Sequence, residues 1–303
     1  MITDQLVIVR GGGDIATGTI WALRRAGFPV LILESERPSA IRRTVALSEA
    51  VYEGEASVED LTVRLAQNLD EAQYLLFQDG IAMMVDPEGR AIREIVSGDE
   101  KYSEWDTGLT TLEGGGRHLF LTAVVDAILA KRNLGTTKDM APFVIALGPG
   151  FTAGADCDAV IETMRGHSLA RPITDGAALP NTGTPGLIGG HAKDRVIHSP
   201  AAGVVWPKAQ IAQIVEEGQV IAEIEPSDGT APVPVTAPFT GLLRGMLRDG
   251  FRVPKGFKMA DIDPRAEEHD NCFTISDKAR AIGGMVVTEL VGYAARKAVD
   301  ETD

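Results

Sequence analysis

The chain has 303 residues, 44% of them hydrophobic and 24% charged, which suits two globular domains with a core each. A formal net charge of −14 excludes general binding to nucleic acid or to anionic membranes, since both need a basic field. No apolar run approaches the roughly 20 residues that span a bilayer. The opening MITDQLVIVRGGGD has neither the charged leader nor the apolar stretch of a signal peptide, so a cytoplasmic location is expected. The 2 cysteines, Cys157 and Cys272, lie far apart, as suits a reducing compartment.

Gln5 to Arg10 is a short apolar run expected to form a buried strand. It meets Gly11-Gly12-Gly13-Asp14-Ile15-Ala16 and then a helix with Ile15, Thr19 and Leu23 on one side and Gly27 as its stop. A second strand, Val30 to Leu33, ends at Glu34. This β-α-β unit, with a G-x-G-x-x-A turn and an acid about 20 residues on, predicts a Rossmann-like nucleotide-binding domain over residues 1–147. In that reading Gly11 makes the tight turn, Gly12 continues it, and Gly13 lets a pyrophosphate approach the backbone. Glu34 accepts hydrogen bonds from ribose hydroxyls. Asp14 cuts against a phosphate: it either caps the helix or meets a ligand hydroxyl or a metal. Arg42 and Arg43 either grip a phosphate or form a solvated charged edge.

Further strands are expected at Ala50–Tyr52, Ile81–Val85 and Thr122–Asp126, with a helix over Ser57–Asn68. Residues 97–118, charged and glycine-rich around Glu113-Gly114-Gly115-Gly116-Arg117, read as an exposed loop of open role. Phe143–Leu147 is another apolar strand, running into Gly148-Pro149-Gly150-Phe151-Thr152-Ala153-Gly154. Loops at strand carboxyl ends line the ligand crevice of an open α/β sheet, so Gly148, Gly150 and Thr152 become binding candidates facing Gly11. Lys131, Arg132 and Lys138 add local positive charge.

Residues 148–197 read as a glycine-rich linker. Within it Cys157 sits between Asp156 and Asp158, whose charges raise a thiol pKa and disfavour a nucleophile. The polar loop from Leu179 to Gly186 carries hydroxyls and an amide but no nucleophile–base pair. His167, His191 and His198 lack metal-ligand spacing, so no metal site is expected. No catalytic triad signature is present, and whether the chain is an enzyme stays open.

An internal repeat follows. Ser199-Pro200-Ala201-Ala202-Gly203-Val204-Val205 matches Ala237-Pro238-Phe239-Thr240-Gly241-Leu242-Leu243, and Val215-Glu216-Glu217-Gly218 matches Val253-Pro254-Lys255-Gly256. Ile221 to Pro226 matches Met259 to Pro264 at the same interval. Each half is too small to bury a core, so the halves must pack together. The pattern is similar to biotinyl- and lipoyl-type barrel-sandwich modules and is placed at residues 198–265. The joining stretch Ser227–Thr236 has no lysine, so no lipoyl or biotinyl arm is expected, and the module reads as a cover or docking surface. In residues 266–303, Ser276-Asp277 caps a last helix with an apolar stripe of Ile282, Val286, Leu290 and Tyr293, for this chain's own core or for a second copy in a homodimer.

Val-Arg-Gly-Gly-Gly-Asp-Ile-Ala-Thr-Gly, Ala-Ile-Arg-Arg-Thr-Val, Ala-Val-Tyr-Glu-Gly, Ala-Leu-Gly-Pro-Gly-Phe-Thr-Ala-Gly and Pro-Asn-Thr-Gly-Thr-Pro-Gly, together with the repeat, carry a resemblance. Over nearly its whole length the chain resembles the YqeB-type accessory proteins of selenium-dependent molybdenum hydroxylase systems, with residues 97–118 longer than the family pattern. The resemblance implies a maturation factor holding a nucleotide or molybdopterin-type ligand and meeting a molybdenum hydroxylase or its maturation machinery. Gly11, Gly13, Gly148 and Gly150 would shape that pocket, Arg42 and Arg43 would contact anions, and Glu34 would bind hydroxyls. Two other readings stand beside it: an NAD(P)-dependent oxidoreductase, which lacks a recognisable catalytic pair, and a non-enzymatic docking scaffold.

Overall fold

The structure is a computed structural model, describing residues 2–78, 80–97, 110–111, 118–183 and 188–300. The glycine run at 114–116 and the end of the polar loop at 184–186 lie outside the described residues. The chain divides into two compact units. The first takes Met1–Pro38, Ala46–Asn181 and Ile275–Asp303, the second Ser39–Val45 and Thr182–Thr274. The division therefore falls elsewhere than at 147, 197 and 265, because each unit is assembled from separated stretches of chain.

The first unit is built on a ten-stranded mixed sheet. In spatial order its parallel strands are β4 (Leu61–Ala66), β5 (Ile81–Val85), β2 (Val30–Glu34), β1 (Gln5–Arg10), β7 (His118–Asp126), β8 (Phe143–Leu147) and β10 (Ala159–Ile161). β3 (Glu55–Val58) and β11 (Pro172–Ile173) close the two ends antiparallel, and β6 (Thr110–Thr111) pairs antiparallel with β7. β9 (Thr152–Ala153) and β12 (Gly176–Ala177) form a separate ribbon. Helices α1 (Asp14–Arg25), α2 (Ala50–Glu53), α3 (Leu69–Phe77), α4 (Arg90–Ser97) and α5 (Asp277–Asp300) complete the unit.

The strand sequences explain the layering. A central parallel strand is covered on both faces and so reads as an unbroken apolar run, as in Leu6–Val9 and Phe143–Leu147. Leu6, Ile8, Leu31, Leu33 and Val124 face α3 and α4, packing with Leu69, Leu76, Ile92 and Ile95. Alternation then turns Val7, Val9, Val30 and Ile32 to the other face, that of α1. There α5 lies against α1, and its Ala279, Ile282, Val286 and Leu290 are almost fully buried. The apolar stripe thus belongs to this chain's own core, and Tyr293 stacks on Phe143 at 4.6 Å. Ser276 Oγ accepts from the Ala279 amide at 3.2 Å and starts α5.

Several expectations are overturned. Ser57–Asn68 is the hairpin of β3 and β4 rather than a helix, because Leu61, Val63 and Leu65 alternate with Thr62 and Arg64 at the period of a strand. Ala50–Tyr52 lies in the short helix α2. The fold class of a Rossmann-like domain followed by a biotinyl/lipoyl-like barrel-sandwich module is corrected as well. The first sheet is mixed and antiparallel at both ends. No α-helix connects β7 to β8 or β8 to β10, only a single 3-10 turn at Lys138–Met140, and the helix packed on β8 and β10 is α5, from beyond the second unit. The opening β-α-β signal is local, whereas the covering of these strands is a long-range arrangement.

The second unit holds two four-stranded antiparallel sheets. One orders β13 (Val196–His198), β20 (Lys258–Asp263), β18 (Gly241–Met246) and β15 (Ile214–Val215); the other orders β17 (Val233–Thr236), β16 (Val220–Glu225), β14 (Gly203–Pro207) and β19 (Arg252–Val253). Repeated segments take matching places: β14 pairs with β16 as β18 pairs with β20, and the short strands β15 and β19 each cross to the other half's sheet. The unit is not a self-contained lipoyl-like module. Part of the expected display hairpin is strand β17, and the inserted segment Ser39–Val45 contributes Ile41, which packs on the core and accepts from the Met246 amide at 2.7 Å.

The α1–α5 contact supplies a test. A Cβ on Gly283 would lie 2.3 Å from the Gly18 carbonyl oxygen, and one on Gly18 would lie 2.5 Å from Ala279, whereas Gly284 has nothing within 4 Å. G283L is expected to lower unfolding free energy by at least about 1–3 kcal/mol in urea titrations. G284A should be neutral or stabilising by up to about 1 kcal/mol. Equal stability of G283L and wild type would refute the packing described.

Candidate functional site

Strand direction in the first sheet places the carboxyl ends of β1, β2, β5, β7, β8 and β10 along one edge. Chain order reverses between β1 and β7, the position where open α/β sheets form a crevice. Arg10, the last residue of β1, is 1% exposed there. Its guanidinium donates to Thr136 Oγ1 and, at 2.9 Å, to the Pro87 carbonyl, and lies 3.8 Å from Asp126. Thr136 in turn donates to Asp126, which also accepts from the Ile128 amide at 3.1 Å. Burial pushes the Asp126 carboxyl above the usual carboxylate range, and the Thr136 hydrogen bond and the Arg10 charge pull it back only in part.

The first two glycines of the turn meet protein rather than open space. Gly11, at φ +97°, would bring a Cβ to 3.0 Å from the Ala127 carbonyl oxygen. The Gly12 amide donates to Glu34 at 2.7 Å, and its carbonyl accepts from the Ser48 amide at 2.8 Å. The other Glu34 oxygen accepts from the Ser35 amide at 2.6 Å and the Ser35 hydroxyl at 3.0 Å. Glu34 thus latches the turn instead of waiting for ribose hydroxyls. Gly13 is different: it is the N-cap of α1, and a Cβ there would meet nothing within 4 Å. Asp14 is the first helical residue, not the cap, and with Gly13 it is the part of the turn that reaches solvent.

The second turn also contacts protein. Gly148, at φ +78°, leaves room for the Thr163 hydroxyl, and Gly150, at φ +110°, for the Arg132 backbone. The Thr152 amide donates to Asp156 at 2.7 Å in a local turn. The two glycine turns share one edge, two strands or about 10 Å apart, and the segment after β7 touches both, Ala127 at Gly11 and Arg132 at Gly150. Arg42 and Arg43 belong to the second unit, where they donate to the Asn271 carbonyl at 3.1 Å and the Met246 carbonyl at 2.9 Å. Both hold backbone there.

Two groups at this edge escaped the sequence reading. Glu162, buried after β10, accepts from the Met164 amide at 2.7 Å and the Leu179 amide at 2.8 Å. Lys278, half-buried in the first turn of α5, interacts electrostatically with Asp14, Arg165, Glu162 and Asp277. Burial lowers its pKa and the Asp14 charge partly restores it. Arg165 forks onto Asp277 at 2.9 and 3.0 Å, fixing the start of α5 beside the end of β10. No local pattern announces Lys278, because its approach to Asp14 depends on α1 packing against α5. The helix terminus open at Gly13, with this lysine beside it, is suited to receive an anionic group.

Among the described residues no cluster of histidine, cysteine or carboxylate side chains could hold a metal ion. Cys157 is fully buried, and burial followed by Asp156 and Asp158 pushes its thiol up to about 12. Cys272 is buried too, and its pKa is raised. Native protein at pH 8 is therefore expected to show no fast-reacting thiol toward a disulfide reagent, and both after unfolding; one rapid equivalent in the native state would contradict the structure. For the buried cluster, R10M should cost about 3–5 kcal/mol at neutral pH by stranding the Asp126 charge. Adding D126N should restore part of that loss, as read by chemical denaturation.

No family model matches the chain. Solved structures with some likeness include an aspartoacylase family protein from Mesorhizobium loti, at 13% identity, TM-score 0.29 and 86% coverage of both chains. A succinylglutamate desuccinylase/aspartoacylase from Rhodobacter sphaeroides shows 14% identity and TM-score 0.25, covering 86% of this chain and 85% of that one. At these scores the likeness assigns neither fold nor activity. The relatives and structures named here give no support to the molybdenum and selenium terms, and the mixed sheet and the discontinuous second unit correct the Rossmann and lipoyl ones. A curated relative, the Escherichia coli (strain K12) protein named Uncharacterized protein YqeB, is 48% identical over 288 residues, which are 95% of this chain and 47% of the relative. The chain is similar to this relative over nearly all of its own length and spans about half the length of the relative.

Proposed function

We propose that the first unit holds a phosphate-bearing small molecule at the carboxyl edge of its sheet, as an accessory to another enzyme. The observation that carries this reading is the start of α1. Its N-cap is a glycine with open space where a side chain would stand, and Lys278 lies beside the first turn. Amides at a helix start are unsatisfied donors, and the helix dipole favours negative charge there. A lysine adds a point charge suited to phosphate.

An accessory role fits because the other polar groups of the edge are already engaged. Glu34 and Glu162 hold backbone amides, and Asp126 and Thr136 hold Arg10. With Glu34 latched onto Gly12, the acid that would select a nicotinamide dinucleotide is not presented to one.

Calorimetric titration with inorganic phosphate, ADP and NAD should show saturable binding of at least one probe and a matching rise in melting temperature. G13A has room to fold, so it should keep the melting temperature of the free protein and lose the binding. K278Q should weaken binding about tenfold. The lysine charge carries the interaction and its pKa is lowered, so affinity should fall as pH rises, starting below the ordinary lysine value of about 10.4. Silence from all three probes, or G13A binding as wild type does, refutes the proposal.

A further inference from the structure

The opposite, amino edge of the same sheet carries a second feature that the glycine turns do not explain. The last turns of α1 and α3 and the first residues of β4 and β5 enclose a cleft of about 500 Å³. Pockets for small molecules typically measure about 300–1,000 Å³. Its floor is apolar, from Leu61, Leu75 and Ile81. Its polar wall has three guanidinium groups, Arg24, Arg25 and Arg64, against one lining carboxylate among the described residues, Asp60. Such a concentration stands out in a chain of net charge −14.

Arginine at a helix carboxyl end complements the helix dipole, which explains Arg24 and Arg25 without a ligand. It does not explain Arg64, which stands on a strand. Arg64 and Thr62 alternate onto the exposed face of β4, and Glu55, directly across the hairpin, accepts from the Arg64 Nε at 2.8 Å. The side chain is held by Glu55 yet stays 64% exposed.

The one lining acid is neutralised by its neighbours. One Asp60 oxygen accepts from the Trp21 indole at 3.0 Å and the other from Arg25 at 3.2 Å, while the Arg25 guanidinium lies 5.0 Å from the Trp21 ring centre. Glu59, just before Asp60, holds φ +52°, uncommon for a residue with a side chain, and its carboxylate accepts from the Ile275 amide at 2.7 Å. The turn that aims Asp60 at Trp21 and Arg25 is thereby tied to the body of the unit.

We infer that this cleft binds a small organic anion, a carboxylate or phosphate ester on a compact apolar body, with Arg24 and Arg64 gripping the anionic group and Leu61, Leu75 and Ile81 receiving the apolar part. The test is calorimetric titration of the whole chain with phenyl phosphate, benzoate and inorganic phosphate. Benzoate should bind one per chain, and phenyl phosphate should occupy the same R64Q-sensitive site more tightly than inorganic phosphate does, separately from any binding at the start of α1. Preference for phenyl phosphate identifies a phosphate ester as the anion, and equal binding shows that a carboxylate suffices. R64Q and R24Q should each weaken benzoate binding about tenfold. If R24Q melts early through loss of its 3.1 Å bond to the Phe28 carbonyl, the exposed R64Q carries the test. No saturable binding by either organic probe, or binding indifferent to R64Q, overturns the inference.

Discussion

The contact between α1 and α5 has no room for a side chain on either facing glycine. Gly18 and Gly283 let two helix backbones meet where ordinary helix pairs stand about 8–10 Å apart. From that approach follow the covering of β8 and β10, the burial of Ile282, Val286 and Leu290, and the position of Lys278 beside Asp14. A methyl group on Gly283 would push α5 outward, separate the lysine from the start of α1, and open one face of the central strands. A packing constraint and the chemistry of the carboxyl edge are therefore the same constraint.

Glycine has a second use along that edge. Glycine-rich turns after strands are usually read as cradles for phosphate, since a bare amide admits a ligand closely. Here Gly11, Gly12, Gly148 and Gly150 admit other parts of the chain: the Ala127 carbonyl, the Ser48 amide, the Thr163 hydroxyl and the Arg132 backbone. The buried Arg10–Thr136–Asp126 cluster fixes the same segment from below. These contacts knit the ends of neighbouring parallel strands together, and within the first turn Gly13 is the glycine left facing outward.

Much of the first unit could be read from the sequence, since runs such as Leu6–Val9, Val30–Leu33 and Phe143–Leu147 have one physical explanation, burial on both faces. The stripe on α5 was equally plain, although its partner was not, because a stripe says only that something covers it. The β3–β4 hairpin was missed: Val58-Glu59-Asp60-Leu61 lacks the glycine or asparagine that usually marks a two-residue turn, and Glu59 takes up the left-handed backbone instead. Of the candidate site residues, Gly11, Gly12, Gly148 and Gly150 meet other parts of the chain, Gly13 has open space beside it, and Arg42 and Arg43 donate to carbonyls of the second unit. Lys278 was beyond reach, since its role depends on two helices far apart in sequence. The repeat in the second unit was legible because two similar halves must repeat their residues, but the exchange of β15 and β19 between sheets, and the insertion of Ser39–Val45, leave no local trace.

The discontinuous make-up of the first unit also bears on how the protein comes into being. Strands β8 and β10 are translated before the second unit, yet α5, the helix that packs on them, follows all of it. During synthesis that side of β8 and β10 must wait, apolar and uncovered, while more than a hundred residues emerge behind it. The second unit holds all but its Ser39–Val45 segment in one unbroken stretch and can close first. A nascent chain stalled within α5 therefore presents a finished second unit tethered to an adhesive, half-built sheet, the sort of surface that chaperones bind and that aggregates recruit.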